Sequence, residues 1–263
     1  MPILFDFFFV LSVNLAIFSC AWIFCLTLAR ISWVDVFWAA SLGIWSLENL
    51  RFWKTDFSFM NPLSILSLLY LFWSMRLSLH LCQRLLRHSK SEDPRYEKIK
   101  TSNPGNWRIT SFFVFMMNAI LSSLLILPQR LLVWSSPKNV SMTLVIGAFL
   151  APLSIILEGL ADKQLKKFLS NKGNRGKTCQ EGLWRYSRHP NYFFEWCFWM
   201  SIGLCLISYP HGYIALICPL IMYVFLTQFT GIKISEKDAA TSRSDFLEYK
   251  QKTSAFFPLP PKK

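Results

Sequence analysis

The chain has 263 residues, of which 53% are hydrophobic and 16% charged, with 24 Phe, 11 Trp and a formal net charge of +13. A soluble domain of this length needs more polar surface, so the composition excludes an ordinary soluble fold. It points to one all-helical integral membrane domain, residues 1–263, with about seven spans of roughly 20 residues each. The basic residues fall in the connections between apolar runs, which excludes a nucleic-acid groove and reads as membrane topology.

In chain order, the runs predicted to span are Ile3 to Leu28, Val34 to Leu50, Leu63 to Cys82, Ile109 to Leu127, Val140 to about Leu160, Tyr192 to Tyr209 and Tyr213 to Ile232. The first is too long for a signal-peptide core and has neither a basic leader nor a small-residue cleavage site, so it counts as a span. Gln83 to Arg108 is expected as a polar loop, with SEDPRYEK and the turn-forming Asn103, Pro104 and Gly105. Pro128 is expected to close the fourth run. A basic, glycine-bearing loop, NKGNRGK, follows the fifth, and a polar tail from Lys233 ends in FFPLPPKK.

The seven cysteines lie mostly in apolar runs and form no CxxC pair, so they read as packing residues rather than a disulfide framework or a zinc site. Loops after the odd-numbered runs hold most of the Lys and Arg, while the other side holds only Arg51, Lys54, Arg130 and Lys138. That asymmetry predicts an outside amino terminus and a cytosolic carboxyl terminus.

Chemistry-bearing residues concentrate in GLWRYSRHPNYFFEWCFW, Gly182 to Trp199. Pro190 suits a first helical position, where its missing amide costs nothing. The amides beyond it point out of the positive end of a helix and favour an anion. Arg185 and Arg188 add bidentate donors suited to phosphates. Asn191 and Glu195 share a helix face and suit an amide or a ribose; Tyr192 offers a ring and a hydroxyl; His189 is a ligand contact, a proton donor or a surface residue. The same stretch also reads as a basic anchor with an interfacial belt of Tyr192, Trp196 and Trp199.

Charges inside the runs are Asp35, Glu48, Arg76, Glu158, Asp162 and Glu195. Each costs about 2.5 to 3.5 kcal/mol at mid-bilayer and so needs a partner or a job; pairing between helices and snorkelling from span ends are the structural readings. Asp162 shares a face with Glu158 and Lys166, four residues away on either side, and that face suits sugar hydroxyls and a phosphate. Arg95 in DPRYEK is a phosphate contact or part of a solvated loop. GNRGK has neither the spacing nor the setting of a P-loop, and no GxGxxG fingerprint occurs, so any nucleotide is held by helices and loops.

The motif RYSRHPNYFFEW, together with DVFW at Asp35, WSMRL at Trp73, EDPRY ending at Tyr96, EGLADKQLKKF from Glu158 and the segment Gly231 to Glu236, resembles the DUF1295 group of steroid 5-alpha-reductase-like membrane proteins. The resemblance covers most of the chain, in the same order. It implies NADPH as cofactor, held in the half from about residue 150 by Asp162, Gln164, Asn191, Tyr192, Glu195, Glu236 and Tyr249, with Arg185, Arg188 and His189 in the same mouth. Leu169 stands where sterol reductases often carry arginine, leaving Lys166 or Lys167 to serve the phosphate. Phe194 stands where the family usually has glycine and is expected to crowd the helix start.

The implied reaction is hydride delivery to a carbon-carbon double bond conjugated with a carbonyl in a steroid or other lipid. Glu48, Asp35 and Tyr192 are the candidate catalytic groups. Isoprenylcysteine and phospholipid methyltransferases share a similar RHPxY element, so S-adenosylmethionine as cofactor stays open, as does a non-catalytic lipid-binding protein. Membrane lipids are the expected surroundings, in the endoplasmic reticulum if the source is eukaryotic.

Overall fold

The computed structural model describes residues 2–52, 61–87, 92–229 and 231–262, and the regular structure among them is helical with no strand. The helices are α1 (Pro2–Thr27), α2 (Trp33–Phe52), α3 (Pro62–Arg87), α4 (Pro94–Ser102), α5 (Trp107–Leu125), α6 (Leu127–Ser135), α7 (Met142–Ser170), α8 (Pro190–Leu206), α9 (Ile217–Val224), α10 (Ile232–Ser242) and α11 (Phe246–Lys252). Among the described residues, five stretches are long and apolar enough to cross a membrane: Ile3–Thr27, Pro62–Arg87, Trp107–Ser135, Met142–Ser170 and Gly212–Ser242. The expected second and sixth spans, α2 and α8, are not among the five. α2 carries Asp35, Glu48 and Arg51 in 20 residues, and α8 is 17 residues long, short of the roughly 20 a bilayer core needs.

Two expectations about connections are corrected. The supposed loop after α3 contains α4, because Asp93 caps it by accepting the Arg95 amide at 3.0 Å and Pro94 opens it. Pro128 begins a helix instead of closing one: α5 stops at Leu125, and α6 restarts with Pro128 in its first turn, where a missing N–H leaves no bond unmade. The seventh run lies within the spanning stretch Gly212–Ser242, built from a tight turn, α9 and a widened π turn at Phe225–Phe229 ahead of α10. The polar tail is likewise structured, as α10, α11 and an extended end.

The chain divides into two compact units, residues 1–142 with 208–212, and residues 143–207 with 213–263. In the first, α1 packs on α5 around Phe18, Cys25, Val34, Phe115 and Ala119, and α2 packs on α3. A chain of buried polar side chains threads the same unit: Trp45 donates to Asn14, Asn14 to Ser123, and Gln129 to Ser46. Each polar group is met by another, which limits what a low-dielectric interior charges for it. In the second unit Gly147 lets α7 lie against α8, since a Cβ there would come within 2.6 Å of the Ser201 carbonyl.

Candidate functional site

The second unit builds the Gly182 motif from the end of α7 outward. Gly182 sits at φ +59°, a left-handed conformation, and a Cβ there would strike the Gln164 amide at 2.6 Å. Gln164 Oε1 accepts the Leu183 amide at 2.9 Å, and the Trp184 indole donates to the Ala161 carbonyl at 2.9 Å. Gln164, expected to bind cofactor, is therefore the strut that fixes the turn leading into the motif.

Arg188 is the centre of a buried latch. Its Nε donates to Glu236 Oε1 at 2.8 Å, its Nη1 to the carbonyls of Lys250 and Thr253, and its backbone amide to Ser254. Glu236 also receives Lys250 Nζ at 3.0 Å and lies 3.4 Å from His189 Nε2. Tyr249 donates its hydroxyl to the carbonyls of Trp184 and Ser187, and burial pushes its phenol pKa up. Arg188, Glu236 and Tyr249 were expected to contact cofactor; the bonds they make tie the motif to α10, α11 and the tail.

The tail completes the latch. Leu259 donates its amide to the Tyr186 carbonyl at 2.9 Å, and Ser187 Oγ to the Phe256 carbonyl at 2.8 Å. Phe256 is 4% exposed and packs edge-on against Phe193, Trp196 and Tyr223. Sequence reasoning missed this contact; the paired aromatics Phe256 and Phe257 in an otherwise polar tail were the available signal. It also missed Asp245, which accepts from the amide and hydroxyl of Thr178 and pins the chain just ahead of the motif.

Pro190 opens α8 as the sequence predicts. Just before it, the His189 ring stacks on Tyr192 at 5.3 Å and 6°. Burial lowers the His189 pKa; hydrogen bonding to Glu236 opposes this, while the Arg188 and Arg243 charges reinforce it, and the net direction is down. The imidazole is thus neutral over a wider range than a free histidine. Asn191 Nδ2 donates to Asp162 Oδ1 at 3.3 Å, whereas Asn191 Oδ1 is buried with no hydrogen-bond partner among the described residues. Glu195 is buried and accepts the Trp199 indole at 2.9 Å. Lys166 and Arg185 are exposed. Phe194 is half-buried, and α8 continues past it without a break, so the helix start accommodates the larger side chain.

The candidate catalytic carboxylates of the first unit are ion-paired. Asp35 meets Arg95 Nη2 at 2.7 Å and the Tyr96 hydroxyl at 2.6 Å. Arg95 also grips Asp93 at 2.9 Å, so it belongs to a clamp and not to a solvated loop. Burial raises the Tyr96 pKa and the Asp35 charge adds to it, so the phenol keeps its proton and donates. Glu92 extends the clamp, accepting the amides of Ile31 and Ser32 and pairing with Lys100 at 2.9 Å. Glu48 lies 3.3 Å from Arg130, whose other bonds go to Asp6 and Asn49.

Apolar helices of spanning length and a hydrogen-bonded polar motif at the start of α8 define a helical membrane protein. The chain belongs to the family described as "Protein of unknown function (DUF1295)", whose model matches residues 21–253. No curated protein and no solved structure matches the chain.

Proposed function

We propose that the chain is a membrane oxidoreductase that reduces a carbon-carbon double bond conjugated with a carbonyl in a steroid or other lipid, with NADPH bound beside Asn191. One observation carries the reading: Asn191 Oδ1 is a buried acceptor with no partner among the described residues. Leaving such a group unsatisfied costs about 1 to 3 kcal/mol. A carboxamide or ribose hydroxyl would satisfy it, and a nicotinamide nucleotide offers both.

The surrounding residues fit that group. Asp162 accepts from the other end of the Asn191 amide and so orients its oxygen. The Tyr192 ring, held by its stack on His189, supplies an aromatic wall. Lys166 and Arg185 are exposed cations suited to phosphates. Arg188, Glu236 and Tyr249 act one step back, as positioning residues that hold the motif in place. Bound NADPH would supply the hydride; the chain's part is to orient it, keep water out and deliver a proton. The basic loops after α3 and α7 support a cytosolic mouth and a carboxyl terminus on the same side, with the amino terminus outside. Endoplasmic reticulum is the compartment this implies for a eukaryotic source.

Thermal unfolding of purified protein with NADPH, NADH and S-adenosylmethionine tests the proposal. NADPH is expected to raise the midpoint most. A rise with S-adenosylmethionine alone would make the chain a lipid methyltransferase, and no rise with any of the three would favour a lipid-binding protein without catalysis.

A further inference from the structure

The loop Asn171 to Lys177 is part of neither the Asn191 site nor the latch, yet it is built with care. Asn171 Oδ1 accepts the Gly173 amide at 3.0 Å, and Asn174 Nδ2 reaches back to the Phe168 carbonyl at 3.0 Å. The amides of Asn174 and Lys177 close successive turns onto the carbonyls of Asn171 and Asn174, and Gly176 takes a left-handed φ of +76°. Thr178, bonded to Asp245, fixes the far end. These bonds preorganise a wall that presents Lys172, Arg175 and Lys177.

That wall faces a cavity of about 660 Å³ whose other lining comes from Leu169 at the end of α7 and from Ser242 and Arg243 at the end of α10. Four cations line the cavity and no carboxylate does. Among the described residues, Lys172, Arg175, Lys177 and Arg243 make no ion pair, and Asp245, two residues past Arg243, spends its carboxylate on Thr178 and Gln180. Four like charges around one open hollow, three of them on exposed side chains, raise its positive potential, which a bound anion would lower.

We propose that this cavity binds the phosphate headgroup of an anionic membrane lipid. Phosphate is the anion that several guanidinium and ammonium donors recognise from different directions. Its source is the bilayer because the cavity begins where a membrane-length helix ends: α7, Met142–Ser170, contributes Leu169, which is 56% exposed, and the cations follow within the next few residues. An apolar rim beside a basic hollow at the end of a span matches a lipid, with its glycerol and first methylenes on Leu169 and its headgroup inside. The site is separate from Asn191 and does not rest on the oxidoreductase reading.

The test uses full-length protein in neutral detergent, titrated with phosphatidic acid or with phosphatidylcholine of the same acyl chains, and bound lipid counted by native mass spectrometry. Wild-type protein is expected to retain phosphatidic acid in preference. Lys172→Gln, Arg175→Gln, Lys177→Gln and Arg243→Gln are each expected to weaken that retention about fivefold, and the quadruple variant to erase the preference. Lys98→Gln, on α4, is expected to leave it unchanged. Circular dichroism checks that the variants stay helical, and the single variants suffice if the quadruple one does not. Equal binding of the two lipids by wild type, or a preference that survives all four substitutions, overturns the proposal. Displacement of phosphatidic acid by equimolar inorganic phosphate or NADPH overturns it too, by assigning the cavity to a soluble phosphate.

Discussion

Asp35 and Glu48 on α2 each meet an arginine, and the Tyr96 hydroxyl adds a second donor to Asp35. Asn191 on α8 meets Asp162 with only one end of its amide and leaves the other end buried and open. All three look alike in the sequence, as a polar residue in or beside an apolar run. The difference separates two jobs. On α2 the carboxylates Asp35 and Glu48 close on arginines and hold helices together; at the Asn191 end of the second unit, a buried acceptor has no donor among the described residues. The Arg188 latch shows that the second unit contains the structural kind as well, so a charged motif residue need not be a ligand contact.

That contrast can be broken by substitution, beginning where the loss should be greatest. Arg188→Ala would leave Glu236 only Lys250 and His189 and would unpair the carbonyls of Lys250 and Thr253, and is expected to cost about 3 kcal/mol of stability or more, read from denaturant unfolding in detergent. Phe256→Ala should cost a similar amount by opening a hole in the ring cluster under the tail. A loss under 1 kcal/mol for both would mean that the tail does not hold the motif. Tyr96→Phe removes one hydrogen bond to a carboxylate and is expected to cost about 1.5 to 3 kcal/mol, with no effect on NADPH affinity.

A smaller effect is expected on acidification. Burial pushes the Glu92 carboxyl up, but hydrogen bonds from Ser32, Lys100 and the Ile31 amide outweigh it and hold the group below the usual carboxylate range. A depressed carboxyl stabilises the folded chain above its unfolded pKa, near 4.5, and that contribution is lost as pH falls through the folded value. The α4 clamp should therefore loosen below about pH 4, and Glu92→Gln should flatten that part of the pH profile. An unchanged profile would remove Glu92 from the clamp.

Much of the helical framework was readable because length and apolarity are local: α1, α3 and α7 each announce themselves in a continuous run. α4 was hidden by its polar composition, although Asp93 and Pro94 carried its start signal. The RHPNY stretch stood out as a cluster of polar residues, and Asp162, on the face singled out at the end of α7, lies within hydrogen-bond reach of Asn191. The roles of Arg188 and Gln164 were not readable. A guanidinium in a loop gives no sign of whether it faces a phosphate or carbonyls 62 and 65 positions away. Burial decides that, and burial here depends on a tail whose sequence resembles a solvated end.

Isothermal titration of NADPH into wild-type protein and Asn191→Ala tests the central claim most directly. The substitution removes a partnerless acceptor and one long hydrogen bond to Asp162, so it should change stability by no more than about 1 to 2 kcal/mol while weakening NADPH binding at least tenfold, a difference of about 1.4 kcal/mol. Equal NADPH affinity in the two proteins, with the fold intact, would contradict the assignment of Asn191 to the cofactor.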